Sequence, residues 1–485
     1  MANSDTHHLQ KPHAILFAYP LQGHVIPSVH LAINLASQGF TITFINTLSI
    51  HRQTTKANHL LSDNNDVNGA DDIFSGVRDS GLDIRYMTVS DGLPVEFDRS
   101  LNHDQFMASL LHVFSAHVQE LVAQIVKQSL PLVTCLIADT FFVWPSVIAK
   151  KFGLLYVSFW TEPALVFSLY YHMHLLRKNG HFDCCDIRQD SIDYIPGVKV
   201  IHPKDLTSYL QATDTSTVCH QIISKAFDDV RGADFVLCNT VQELEPETIE
   251  PLQASKPFYA IGPIFPSGFT KSIVATSLWS ESDCTRWLDS KPHGSVLYIS
   301  FGTYAHMEKR DLVEIANGLL LSHVNFVWAI RPDIVNSDDH DPLPVGFKER
   351  VADRAMIITW CCQVQVLTHP AIRSFLTHCG WNSILESIWS EVPLLCFPLL
   401  TDQFTNRKLV VEDWKIGINL SDQRFLTKEN ISKNISRLME GKSGNDFKTE
   451  VRKIKKKLQD ALAPNGSSTQ NLERFIKDLK AKAQI

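Results

Sequence analysis

Several common catalytic signatures are missing from this sequence. No G-x-G-x-x-G follows the first candidate strand, which weakens a nicotinamide oxidoreductase reading. No G-x-S-x-G is present, which argues against a serine hydrolase. "EGKSG" (440–444) holds Gly-Lys-Ser, but a P-loop needs glycine where Ser436 stands. Cysteine is scattered, with no C-x-x-C; the adjacent pairs Cys184-Cys185 and Cys361-Cys362 suit neither zinc nor a relaxed disulfide. A reduced, cytoplasmic chain is expected. No apolar run is long enough to span a bilayer, which takes about 20 mostly apolar residues. The most apolar segment, Leu154–Leu176, is broken by Glu162, Pro163 and His172. The opening "MANSDTHHLQKPH" has no apolar signal core. Net charge is −7, and the only dense basic run, "RKIKKK" (452–457), is interleaved with apolar residues as on a solvated helix face. No nucleic-acid partner and no membrane span are expected.

What is present is strand and helix in alternation over 485 residues, enough for two domains. "HAILFAY" (13–19), "FTITFIN" (40–46), "LVTCLIA" (132–138), "LLYVSFW" (154–160) and "ADFVLCN" (233–239) read as strands. The helix "HVIPSVHLAINLASQG" (24–39) follows the first of them. A second series, 295–301, 325–330, 355–359, 373–377 and 393–398, comes after a Gly-, Pro-, Ser- and Thr-containing stretch. Strands apolar on both faces, alternating with helices, predict parallel sheets covered on both sides. The expected organisation is an N-terminal domain over 1–257, a linker over 258–280, a C-terminal domain over 281–465, and a last helix, 466–485, free to pack back on the first domain. The run "NSDDHD" (336–341) reads as a mobile loop. Its D-x-D is not read as a metal site.

Ligands of such sheets bind beyond the carboxyl ends of the strands. The polar residues there are Gly23 and His24, Asp139, Thr161, Gly302 and Thr303, Trp360 and Gln363, His378, then Asp402-Gln403. One stretch is informative by itself. In "THCGWNSILES" (377–387) a strand ends on His378, breaks at Gly380, and enters a helix whose first turn is small and polar. The first amides of a helix have no internal partner and carry partial positive charge, so an anion fits there. A helix simply capped by Asn or Ser fits the same residues.

Residues 360–403, "WCCQVQVLTHPAIRSFLTHCGWNSILESIWSEVPLLCFPLLTDQ", resemble the 44-residue signature of plant family 1 UDP-sugar glycosyltransferases, without gaps. "SVLYISFGT", "WLDSKP", "LPVGFKER" and "PLQGHVIP" match the same family. The resemblance implies a GT-B fold: two Rossmann-like domains facing a cleft, acceptor site in the first and sugar nucleotide mainly in the second. It implies that Gly380–Ser383 receives the diphosphate, with donors from Asn382 and Ser383 and a further hydrogen bond from His378. Glu386 would accept the ribose hydroxyls. Trp360 would stack on uracil, the Cys361 backbone would read its edge, and Gln363 would lie near the ribose. Thr303 and Thr161 would touch phosphate and sugar, and Asp402 and Gln403 would hold glucose hydroxyls. Trp381 and Gln403 imply UDP-glucose as donor. Two positions depart from the family pattern: Cys362 replaces a proline, and Glu391 stands where glycine is common.

The residues themselves suggest how transfer would proceed. His24 lies between a strand end and a helix start, where a neutral ring can accept a proton. Asp139 ends another strand and could hold the second ring nitrogen. His24 would then deprotonate an acceptor hydroxyl, with inversion at the sugar and no metal or other cofactor. Gly23, Phe141, Phe159 and Leu165 are candidate acceptor contacts for a phenolic, terpenoid or hormone-like alcohol. The expected protein is a monomer whose partners are the sugar nucleotide and a small acceptor. A catalytically silent UDP-sugar sensor or scaffold would keep Trp360, Ser383 and Glu386 without needing His24 and Asp139.

Overall fold

The computed structural model describes residues 11–59, 72–184, 187–265, 277–335, 342–423 and 425–485. Two parallel sheets organise the chain. The first holds β1 (His13–Phe17), β2 (Thr41–Thr47), β3 (Ile84–Val89), β4 (Cys135–Asp139), β5 (Leu155–Trp160), β6 (Phe235–Cys238) and β7 (Phe258–Ala260). Its order is β3-β2-β1-β4-β5-β6-β7. The second holds β8 (Val296–Ser300), β9 (Asn325–Ala329), β10 (Ala355–Ile358), β11 (Ile372–Thr377), β12 (Leu394–Cys396) and β13 (Gly417–Asn419), in the order β10-β9-β8-β11-β12-β13. The central strands are buried from end to end because helices cover both faces, which is why they read as continuous apolar runs.

Three strands escape the sequence pattern. β3, "IRYMTV", is an edge strand whose middle residues are only half-buried. β7 and β13 have three residues each, too few to show a period. Phe258–Ala260 therefore belongs to the first sheet although it opens the stretch expected to be linker. Residues 266–276 of that stretch, and "NSDDHD" (336–341), lie outside the described residues.

The last helix, Ser467–Ala483, packs on the first sheet. Phe475 and Leu479 are fully buried, and Phe475 meets Phe235 and Tyr259 at ring-centroid distances of 5.6 and 5.8 Å. The Tyr259 hydroxyl donates to Asp478 at 2.7 Å. The basic run before it is more than a solvated face. Arg452 and Lys455, on the helix Gly441–Leu462, hold the Glu391 carboxylate at 2.8 and 3.0 Å. Glu391 adopts φ +59°, the conformation that makes glycine common there, and these two cations now anchor it. Among the described residues no single helix is long and apolar enough to cross a membrane.

Candidate active site

Strand order turns between β1 and β4 in the first sheet and between β8 and β11 in the second. A crevice opens at each reversal, because the connections leave on opposite sides of the sheet. The chemistry-bearing residues stand at these two places. His24 follows β1 and Asp139 ends β4; Gly302 and Thr303 follow β8 and His378 follows β11. Together the two crevices make one cleft of about 990 Å³ between the sheets.

In the first crevice His24 lies in the opening turn of the helix Gln22–Ser37, which begins two residues before its expected start. Its Nδ1 is 2.8 Å from Asp139 Oδ2 and 3.0 Å from the Thr161 hydroxyl. An ionised carboxylate only accepts, so Nδ1 is the donor in this contact. Asp139 is 1% exposed, and its other oxygen accepts the Phe141 amide at 2.9 Å. The carboxylate is thus held from both ends. Thr161, expected against phosphate or sugar, stands against the histidine ring.

Pro27 lies inside the same helix and has no N–H to give to the Gly23 carbonyl four residues back. That carbonyl accepts the Asn382 side-chain amide at 2.8 Å instead, tying the two domains across the cleft. Trp381 adds a second tie, its indole N–H donating to the Asn239 carbonyl at 2.7 Å.

In the second crevice the helix Trp381–Trp389 makes its first internal bond from the Ile384 amide to the Gly380 carbonyl, which leaves the amides of 381–383 outside its ladder. The strand does not break at Gly380 as expected. Gly380 has ordinary φ −63°, and the left-handed residue is Cys379, φ +68°. What Gly380 supplies is space. A Cβ there would stand 2.5 Å from His378 Nε2, and one on Gly302 would stand equally close. The His378 ring is wedged between two glycines. Burial, reinforced by nearby Arg331, holds its pKa down to about 4, so it is neutral at pH 7. Arg331 is itself buried and donates to the carbonyls of Gly302 and Ala305 at 2.7 and 2.8 Å, fixing the loop after β8.

Gln363 donates to the Ser383 hydroxyl at 3.0 Å and to Glu386 at 2.7 Å, joining the segment after Trp360 to the helix Trp381–Trp389. Burial pushes the Glu386 carboxyl up to about 7, with the Gln363 hydrogen bond opposing it. Gln403 accepts the amides of Leu399 and Leu400 at 2.8 and 2.9 Å through Oε1, so its –NH₂ is the end left to donate. Asp402 accepts from the Thr401 hydroxyl and from Asn406, and Asn406 also donates to the Cys379 carbonyl at 3.0 Å. Arg331 and Asn406 are supporting residues with no sequence signal, since each acts through a carbonyl far along the chain.

Thr303, Trp360, Cys361, Gln363, His378, Trp381, Asn382, Ser383, Glu386, Asp402 and Gln403 all line the cleft, as do Gly23, His24, Phe141 and Thr161. Two expected acceptor contacts do not. Successive strand residues face opposite ways. Trp160 points to the site side of the sheet, so Phe159 points to the other, into the core beneath the helices Gln22–Ser37 and Ser467–Ala483. Leu165 is buried in the core at the start of the helix Ala164–Tyr171, its amide donating to Glu245. Tyr19, Met107, Tyr170 and Tyr209 line the cleft in their place, contributed by four separate segments.

Residues 280–459 match the family model described as UDP-glucoronosyl and UDP-glucosyl transferase. UDP-glycosyltransferase 86A2 of Arabidopsis thaliana is 61% identical over 99% of this chain and 96% of its own length. UDP-glycosyltransferase 86A1 of the same plant is 57% identical over 98% and 96%. Among solved structures, Phytolacca americana UGT2 complexed with UDP-2fluoro-glucose and pterostilbene superposes with a TM-score of 0.77 at 25% identity, covering 97% of this chain and 99% of that one.

Proposed function

Because this chain belongs to the plant family 1 UDP-glycosyltransferases, enzymes that move a sugar from a UDP-sugar to a small acceptor, we propose that it transfers glucose with inversion, His24 acting as general base. The observation that carries the proposal is the 2.8 Å contact between His24 Nδ1 and buried Asp139, which leaves Nε2 free to accept a proton at the cleft wall.

His24 Nε2 takes the proton of an acceptor hydroxyl as its oxygen attacks the anomeric carbon from the face opposite the phosphate. The bond to the phosphate oxygen breaks, and an α-linked donor gives a β-glucoside. Asp139 balances the imidazolium, as the carboxylate of a catalytic triad does. The amides at 381–383, with an N–H of neutral His378, meet the charge that develops on leaving UDP. No metal is needed for that charge in this scheme. Trp360 stacks on uracil, the Cys361 backbone reads its edge, and Glu386 accepts the ribose hydroxyls once ionised. Asp402 accepts from glucose hydroxyls and the Gln403 –NH₂ donates to them. The 2-fluoroglucose nucleotide in the Phytolacca relative supports glucose as the donor sugar. The aromatic wall of Tyr19, Phe141, Tyr170 and Tyr209 supports an apolar phenolic, terpenoid or hormone-like acceptor. We take the working unit to be a cytoplasmic monomer.

The test is UDP release from UDP-glucose with a panel of phenolic and terpenoid alcohols, wild type beside His24→Ala. Acceptor-dependent release should vanish in the variant while UDP binding persists. Turnover retained in His24→Ala refutes the base assignment. UDP binding without release by wild type, across the panel, favours the sensor reading.

A further inference from the structure

Glu162 has no part in the scheme above. It follows Thr161 directly after β5, lines the cleft, and is 8% exposed. Its Oε2 is sealed from solvent without a hydrogen-bond partner, and among the described residues no hydrogen bond reaches the carboxyl at all. Its nearest charged neighbours make matters worse. Asp402 on the donor side and Asp139 on the catalytic side are both acidic, and both are committed elsewhere, Asp402 to Thr401 and Asn406, Asp139 to His24 and Phe141. Burial first, and these two carboxylates next, drive the Glu162 pKa well above its ordinary value, which favours the uncharged acid with its one donor and one acceptor.

A buried polar group left unsatisfied weakens the fold. Leucine or methionine would fill the same volume without that cost. Packing therefore gives no reason for a carboxyl here, whereas a ligand in the cleft could satisfy it. The described lining of the cleft contains no lysine or arginine. An acceptor bearing a carboxylate would meet Glu162 and Asp402 there and no lysine or arginine.

We propose that Glu162 selects the acceptor: its carboxyl takes a second neutral hydroxyl of an apolar molecule whose first hydroxyl sits at His24, and acceptors carrying a carboxylate are excluded. The inference rests on the acceptor position proposed above. It narrows the acceptor class to apolar diols or polyols.

Calorimetric binding to the UDP-saturated protein tests it, with naphthol, the dihydroxynaphthalene isomers and hydroxynaphthoate as probes. One dihydroxy isomer should bind wild type about tenfold more tightly than naphthol, the worth of one good hydrogen bond, and hydroxynaphthoate should bind weakest. In Glu162→Leu the diol preference should disappear while naphthol binds at least as well, and the unliganded variant should melt no lower than wild type. Glu162→Met carries the same expectation should the leucine variant fail to fold. The proposal is overturned if wild type prefers no diol, if the preference survives both substitutions, or if hydroxynaphthoate binds as well as naphthol. A fall in melting temperature in both variants would make Glu162 a structural residue and overturn it as well. UDP release in the same samples separates the two readings: diol preference without turnover counts against the transferase scheme alone, and turnover without diol preference counts against Glu162 alone.

Discussion

Asp139→Asn should damage the enzyme more than Asp139→Ala, although it is the smaller change in shape. The reason lies in the two bonds that hold the carboxylate. Oδ1 accepts the Phe141 amide at 2.9 Å and Oδ2 faces His24 Nδ1 at 2.8 Å. An asparagine keeps its oxygen on the Phe141 amide, which can only donate, and so turns its –NH₂ toward His24. Nδ1 must then accept, the proton moves to Nε2, and the ring can no longer take a proton from the acceptor. The lost charge adds to this. A unit charge 2.8 Å from an imidazolium is worth about 6 kcal/mol at an effective dielectric of about 20, which is an upper bound because His24 is partly exposed and Thr161 and water can substitute. The usual worth of a positioned base is about 10²–10⁴ in rate. We expect a loss in kcat near the upper end of that range for Asp139→Asn and nearer its lower end for Asp139→Ala, where Thr161 and water leave the tautomer free. Initial rates of UDP release would measure this, with UDP affinity by calorimetry as the check that the fold is intact. An asparagine variant as active as the alanine variant, with UDP binding preserved, would refute the tautomer argument.

The remaining predictions concern two glutamates. Glu386 titrates near about 7 when the cleft is empty, and ribose hydroxyls donating to it would favour its ionised form. UDP-glucose affinity should therefore rise with pH through about 7 with release of protons, seen as buffer-dependent heats in calorimetry. Glu386→Gln should abolish the dependence, and proton-neutral binding by wild type would contradict it. The stability sign follows from the same raised value: Glu386 favours the folded state below its unfolded pKa, and this contribution is lost as pH rises through about 7. The glutamine variant should gain in denaturation midpoint relative to wild type at about pH 8 compared with about pH 5; equal differences would count against it. At Glu391, alanine loses the contacts to Arg452 and Lys455 and keeps the φ of +59°, whereas glycine loses the contacts but relieves about 1 kcal/mol of backbone strain. Glu391→Gly should therefore be more stable than Glu391→Ala by about 1 kcal/mol in chemical denaturation; the reverse order would show that the backbone is not strained there.

Features that depend on neighbouring residues were legible in the sequence, because their physics is local. Aliphatic runs announced ten of the thirteen strands among the described residues, and the three missed strands are a half-exposed edge and two three-residue segments. The second crevice was legible for the same reason. Most of it comes from one continuous stretch, 360–403, whose strand end, glycine, polar helix start and one-turn spacing from Asn382 to Glu386 leave their pattern in consecutive letters. Phe159 and Leu165 were misplaced because residue type alone does not say which face of a sheet, or which side of a helix, looks into a cleft.

The sequence by itself determined the alternation of strand and helix, the small, polar helix start after Gly380, and the identities of the groups available for acid–base work. Only the tertiary structure decided which of those groups meet. His24 and Asp139 are 115 residues apart and touch because β1 and β4 are neighbours at the point where strand order reverses. Asn382 reaches Gly23 across 359 residues because Pro27 leaves one helix carbonyl unpaired. Glu162 is defined by partners it lacks, which no stretch of its own neighbourhood could reveal. Strand adjacency and the satisfaction of buried polar groups are settled by the packing of the whole chain, and so they appear only once every segment has taken its place.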